Sequence, residues 1–235
     1  TRRVFIILRG NSVRILLWLM SSIVLSFIFG QAVQMLRGGE RKIHWRMPIF
    51  SYFMHKYTEP RVFEGELAGF SLGYLLVIPG FTWIALVVMI LFGICTVLDC
   101  AYRCIIPIIV LAMFGASLFT HGLGMIFITV LVDALMFAIY SIIYAIQLSR
   151  GTATKTAFEV RGFGLADMFL LCTMVNTTSV AVLGSSMIFA GIVHTPCKLL
   201  AAHYGVWDYE SKSFAFYPFT MMGLAIVLFL QTALV

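Results

Sequence analysis

Six stretches of the chain carry no charged residue: Ile15–Leu36, Leu67–Leu98, Cys104–Val132, Ala134–Ser149, Met168–Cys197 and Ser213–Val235. They run for 22, 32, 29, 16, 30 and 23 residues in turn. A helix needs about 20 apolar residues to cross the hydrocarbon layer, so the longer stretches have room to cross twice. Long apolar runs also argue against a barrel, whose strands leave short alternating segments. Helix 1 is expected over Ile15–Leu36. Pro79-Gly80 is a turn signal that splits the second stretch into helices over 67–78 and 81–98. Asp99–Arg103 is a short polar step, followed by a helix over 104–119 with Pro107 in its first turn. His121–Gly124 turns the chain into a helix ending at Leu148. After the polar loop Ser149–Arg161 a short helix opens at Asp167, breaks at Asn176–Ser179 and Gly184, and is followed by another to His203. Tyr204–Ser213 is a polar loop before the last helix. The pattern predicts an all-α fold, a polytopic transmembrane helix bundle of eight spans with seven as the alternative count. Residues 1–235 form a single integral membrane domain in this reading.

Composition sharpens the class. Of 235 residues, 61% are hydrophobic and 11% charged, against about 45–50% and about 25% in soluble domains. Too little polar surface remains to cover a water-soluble ball, so a soluble enzyme, a disordered chain and a nucleic-acid-binding domain are excluded. The expected surroundings are membrane lipid, not nucleic acid. The formal charge of +6 then reports orientation. Arg37, Arg41, Lys42, Arg46, Lys56 and Arg61 crowd the segment 37–62, which the positive-inside rule makes a cytoplasmic loop. Asp99–Arg103, Ser149–Arg161 and Tyr204–Ser213 fall on the same side. Arg2, Arg3, Arg9 and Arg14 depart from the rule and read as an interfacial start without a signal-peptide cleavage pattern. Opening on Thr1 instead of Met reads as the loss of a residue or two. Cys95, Cys100, Cys104, Cys172 and Cys197 form no CxxC pair, so they read as buried thiols and no metal site is expected.

Scarcity of charge makes the acids in the spans informative, since ionisable groups in a bilayer are costly and usually functional. Three touch the spans in this reading: Asp99, Asp133 and Asp167. Two helices separate Asp99 from Asp167, and an even number of crossings returns the chain to its starting side. Both therefore sit at one aqueous boundary. Two carboxylates brought close cannot both ionise easily and share a proton. The ionised one can then draw a proton from water while the other polarises a peptide carbonyl, as in aspartic proteases. Plainer roles stand beside this one: an ion pair from Asp99 to Arg103, and a helix cap for Asp167. Asp133 falls within a span, where a structural hydrogen bond, for instance to Tyr140, competes with a proton-handling role. His121, His194 and His203 read as interfacial.

Around the second aspartate the chain reads Gly162-Phe163-Gly164-Leu165-Ala166-Asp167, which resembles the GxGD segment of type IV prepilin peptidases. Further stretches agree in order. Asp99 with Arg103 and Ile106-Pro107 is similar to that family's first catalytic aspartate and the apolar-Pro step after it. Ala215-Phe216-Tyr217-Pro218-Phe219 resembles its closing Pro-Phe-Gly-Pro element. Ser26-Phe27 with Met35-Leu36-Arg37 looks like its first helix and exit. Trp45–Tyr52, then Phe63–Phe70 containing Glu66, looks like its cytoplasmic loop and second helix. Three positions depart: Ala166 replaces the glycine before the aspartate, Phe169 replaces a lysine, and the 37–62 loop lacks the two CxxC pairs of many bacterial members. Were positive φ required at 166, alanine would cost about 1 kcal/mol there.

The resemblance implies a leader peptidase for type IV prepilins or pseudopilins, acting at the cytoplasmic face of the bacterial inner membrane. It makes Asp99 and Asp167 catalytic within residues 99–235 as the catalytic half. Gly162, Gly164 and Ala166 would be points of close backbone approach, and Glu66 and Arg103 contacts of the loop. Proteolysis needs no cofactor, whereas methylation of the new N-terminus, common in bacterial members, would use S-adenosylmethionine. Two rivals remain: a proton-coupled transporter using Asp133, and a homologue that binds prepilins without cutting them.

Overall fold

Helix ends in this chain follow proline, glycine and capping groups more than charge. The computed structural model describes residues 2–38, 60–77, 81–104, 106–151, 153–154, 159–160, 164–203 and 216–234. Among them lie eight α-helices: α1 (Arg2–Leu36), α2 (Pro60–Leu75), α3 (Trp83–Tyr102), α4 (Pro107–Ser117), α5 (Ile126–Ser149), α6 (Leu165–Thr177), α7 (Val180–His203) and α8 (Phe216–Leu234). A two-residue antiparallel ladder, β1 (Ala153–Thr154) with β2 (Glu159–Val160), is a small addition to the all-helical expectation. Most of the 37–62 loop and all of Tyr204–Ser213 lie outside the described residues.

Several boundaries differ from the charge-free runs. The basic start is part of α1, which is continuous over 35 residues and about 52 Å long. Pro60 opens α2 seven residues before Leu67, as proline can at a first helical position. α3 passes through Asp99 to Tyr102 and stops where Arg103 turns left-handed at φ 55°. Ile106 is extended (φ −85°, ψ 111°), as a residue before proline tends to be, and Pro107 begins α4. Gly184 lies inside α7, so the only break there is at 178–179. Charge marks where a helix leaves the apolar layer, not where it ends.

Among the described residues, four helical stretches are long and apolar enough to cross a membrane: Ile15–Leu36, Trp83–Tyr102, Leu123–Ser149 and Val180–Cys197. α4 and α6 are apolar but shorter, about 16 and 20 Å, against about 30 Å of hydrocarbon. Thr129, Asp133 and Tyr140 are the buried residues of α5, and Leu131, Leu135, Ile139 and Ile142 face outward. Such an apolar exterior suits lipid and not water.

The chain divides into two compact units, 1–80 with 92–104 and 184–235, and 81–91 with 105–183. In the first, α1 and α2 meet backbone to backbone. Gly65, Gly69 and Gly73 recur every four residues along α2. A Cβ on Gly69 would collide with the Leu25 carbonyl oxygen, and one on Gly73 with Ser22 Cα. Ser21 Oγ donates to the Gly73 carbonyl at 2.9 Å and Ser26 Oγ to the Glu66 carbonyl at 2.7 Å. Small residues and interhelical hydrogen bonds are how helices associate where lipid removes the hydrophobic drive. Phe63 and Leu67 of α2 pack with Ala190 and Cys197 of α7 and Phe219 of α8. Val33, Val62, Val97, Cys100 and Ala101 tie α1 and α2 to the end of α3.

In the second unit α6 packs against α4 and α5. Phe169 stacks edge-on against Phe114 and Phe137 at centroid distances of 5.0 and 4.9 Å. The phenylalanine at this position is a packing residue. A lysine there would place its charge among aromatic rings.

Candidate functional site

Asp167 is the third residue of α6, and the helix begins on Gly164 as N-cap. The Gly164 N–H donates to Asp167 Oδ2 at 2.6 Å, and the Met168 N–H closes on the Gly164 carbonyl at 3.2 Å. The capping role is therefore real and engages Oδ2 of the carboxylate. Ala166 is helical with no positive φ, so alanine carries no strain where the family has glycine. Gly164 is extended (φ −102°, ψ 179°), and among the described residues a Cβ there would meet Asp167 Oδ2, at 3.6 Å. Gly162 lies outside the described residues.

Asp99 occupies the last turn of α3, where the Arg103 N–H donates to its carbonyl at 2.8 Å. The guanidinium of Arg103 reaches across to another helix. Arg103 Nη1 and Nη2 donate to Glu64 Oε2 and Oε1 at 2.7 and 3.0 Å, a two-point contact with a carboxylate that is 0% exposed. Burial works against the charge on Arg103, but the hydrogen bonds and charge of Glu64, helped by Asp99, hold it above the ordinary arginine value. Arg61 Nη1 donates to the Ala101 carbonyl at 3.0 Å, and the Tyr102 hydroxyl to the Leu36 carbonyl at 2.9 Å. The end of α3 is thus tied to α1 and α2 at consecutive residues.

Glu64 and Glu66 are two further buried acids beside the three singled out from the sequence. Both are buried inside α2, and Glu66, expected near the loop, lies along the helix face that meets Gly30 of α1. Their position just outside a charge-free run hid them. The available signal was the apolar Val62-Phe63 before them and Leu67-Ala68 after them, which continues the helix face through both glutamates.

Asp133, 4% exposed, is held in a polar pocket of the second unit. Its Oδ2 accepts from Asn176 Nδ2 at 3.0 Å, and the same amide reaches Ser117 Oγ at 3.1 Å. Thr120 Oγ1 donates to the Asn176 carbonyl at 2.6 Å, and the buried Cys172 thiol lies beside the carboxylate. Asp133 Oδ1 has no hydrogen-bond partner among the described residues. Tyr140, the partner considered from sequence, packs with Met168 and Cys172. Asn176 was legible only as a helix breaker, yet it supplies the bond.

Among the cysteines, Cys104 is exposed, which corrects the expectation that all five are buried. His194 packs edge-on to Phe219 at 5.0 Å, while His121 lies exposed in its turn. Among the described residues no group of three His, Cys, Asp or Glu side chains could hold a metal ion. None is assigned to S-adenosylmethionine. Asp99 belongs to the first unit and Asp167 to the second.

No family model, curated protein or solved structure matches the chain.

The Asp133 network makes a stability prediction of its own. Asn176→Leu should lower stability by about 2 kcal/mol, because it leaves a buried carboxylate without its donor. Asp133→Asn should be near neutral, since it removes that carboxylate while keeping an acceptor for Asn176. Thermal unfolding in one detergent compares the two. An unchanged melting temperature for Asn176→Leu would show that the network contributes nothing.

Proposed function

We propose that the protein is a membrane-embedded aspartic endopeptidase that removes the leader from type IV prepilins or pseudopilins. It crosses the bacterial inner membrane with eight spans and works at the cytoplasmic face. Asp99 and Asp167 share one proton. The ionised carboxylate takes a proton from water, and the protonated one hydrogen-bonds the scissile carbonyl, so that no covalent intermediate forms. The prepilin's apolar segment lies in the membrane and brings the scissile bond to the interface.

The observation that carries this reading is the setting of both acids. Each stands in a terminal helical turn, Asp167 behind Gly164 and Asp99 ahead of Ile106-Pro107, in the order of the family's motifs.

Two experiments test it. Purified protein incubated with a prepilin in detergent should reduce the prepilin's mass by that of its leader, and a further gain of a methyl group would reveal S-adenosylmethionine-dependent methylation. A prepilin that binds without losing mass would leave the non-cleaving homologue. Topology gives the second test. Cys104, which is exposed, and a cysteine introduced at Gly151 should both react with an impermeant maleimide from the cytoplasmic side. Labelling from opposite sides would remove the shared boundary on which the dyad depends.

A transporter reading keeps one observation in its favour, the buried Asp133 with an oxygen that has no partner among the described residues. It predicts that Asp133→Asn abolishes function, whereas the peptidase reading predicts that this variant still cuts.

A further inference from the structure

Arg103 stands where glycine would be expected. It ends α3 in the left-handed region at φ 55°, a conformation that residues with a side chain rarely adopt and that helices commonly assign to glycine at this point. Ending the helix does not require arginine. Among the described residues Nε is buried with no partner, so the side chain's hydrogen bonds run through Nη1 and Nη2. What arginine adds is the fork onto Glu64, whose carboxylate is fully buried in α2. A two-point contact between planar groups sets orientation as well as distance. The backbone of the same residue closes on the Asp99 carbonyl, so fixing Arg103 fixes the turn that carries Asp99. Arg61 on the Ala101 carbonyl and Tyr102 on the Leu36 carbonyl restrain the residues between.

We propose that Glu64 and Arg103 form a positioning pair that holds the last turn of α3, and with it the Asp99 side chain, in its working orientation. The catalytic consequence rests on the peptidase reading; the restraint on the turn does not. Neither residue takes part in the chemistry. The pair acts as a unit: losing either member frees the turn, and losing the second adds little.

The test compares wild type, Glu64→Gln, Arg103→Gly and the double variant, all as full chains in the same detergent. Amide hydrogen exchange across 99–104 should rise about tenfold in each single variant, with α5 and α8 unchanged as internal references. In the leader-cleavage assay kcat should fall about 100-fold while KM stays within about twofold, because misplacing a reacting group slows chemistry more than binding. The double variant should be no slower than the slower single one. Arg103→Lys, which keeps charge but loses the fork, should fall between wild type and Arg103→Gly, and it serves if Glu64→Gln fails to accumulate. Unchanged exchange at 99–104 in Glu64→Gln overturns the proposal. So does Arg103→Gly with wild-type kcat, which would mean that Arg103 merely ends a helix. If wild type itself cuts no prepilin, the peptidase reading fails, and the exchange data alone decide whether the pair holds the turn.

Discussion

Gly69→Leu should prevent the protein from accumulating in folded form. The Cβ of any side chain at 69 would lie against the Leu25 carbonyl oxygen and within 2.8 Å of Ser26 Cα, which are backbone atoms of α1. A flexible neighbour could swing aside, but a helix backbone cannot. Overpacking a well-filled site costs about 1–3 kcal/mol when side chains can adjust, and separating α1 from α2 would also break the Ser21 and Ser26 hydrogen bonds across the same seam. The expected result is loss of the monodisperse species in detergent, or a melting temperature lowered by well over ten degrees if any survives. Gly191→Ala in α7 is the control, since a Cβ there meets nothing within 4 Å. Alanine should stabilise that helix by up to about 1 kcal/mol. Equal behaviour of the two variants would show that the α1–α2 approach is looser than described.

The apolar runs reveal the helices but not which of them touch. α1 and α2 were legible as helices from charge-free runs, but their seam depends on a four-residue glycine spacing that begins at Gly65, outside the run. Apolar length is a measure of lipid exposure, and α5 shows it despite Asp133: 24 residues, mostly facing outward. It fails for α2, where polar residues are buried against protein. Glu64 and Glu66 look like boundary residues in one dimension because their partners lie on other helices. Arg103 was set beside Asp99 on sequence distance, and nothing in one dimension announced the fork it also makes onto a side chain 39 residues away.

The aspartates were easier to place than to furnish. Asp167 was expected to open a helix, and it stands at the third position of one, with Gly164 as the cap. The worry about Ala166 came from treating the glycine before the aspartate as a conformational requirement, whereas the helix begins one residue earlier and covers it. Phe169 makes the same point from the packing side, since an aromatic cluster occupies the place of a charge.

Asp167→Asn and Asp99→Asn should each lower leader cleavage by a factor on the order of 10^4, the upper range of what a proton-transferring group contributes. The substitution separates chemistry from structure at Asp167 with unusual clarity. Asparagine keeps a side-chain oxygen that can accept the Gly164 N–H, so α6 should start where it does now and the melting temperature should hardly move. Alanine removes that acceptor and should cost about 1 kcal/mol of stability. If Asp167 were only a cap, activity would follow the hydrogen bond: asparagine near wild type, alanine impaired. If it handles a proton, activity follows ionisation, and asparagine and alanine are equally inactive despite their different stabilities. Asp99 offers the complementary comparison. Its backbone carbonyl, not its carboxylate, receives the Arg103 N–H, so the turn survives Asp99→Asn. Loss of cleavage with unchanged amide exchange across 99–104 would then assign the effect to the carboxylate alone, and retained cleavage in either asparagine variant would remove the two-aspartate mechanism.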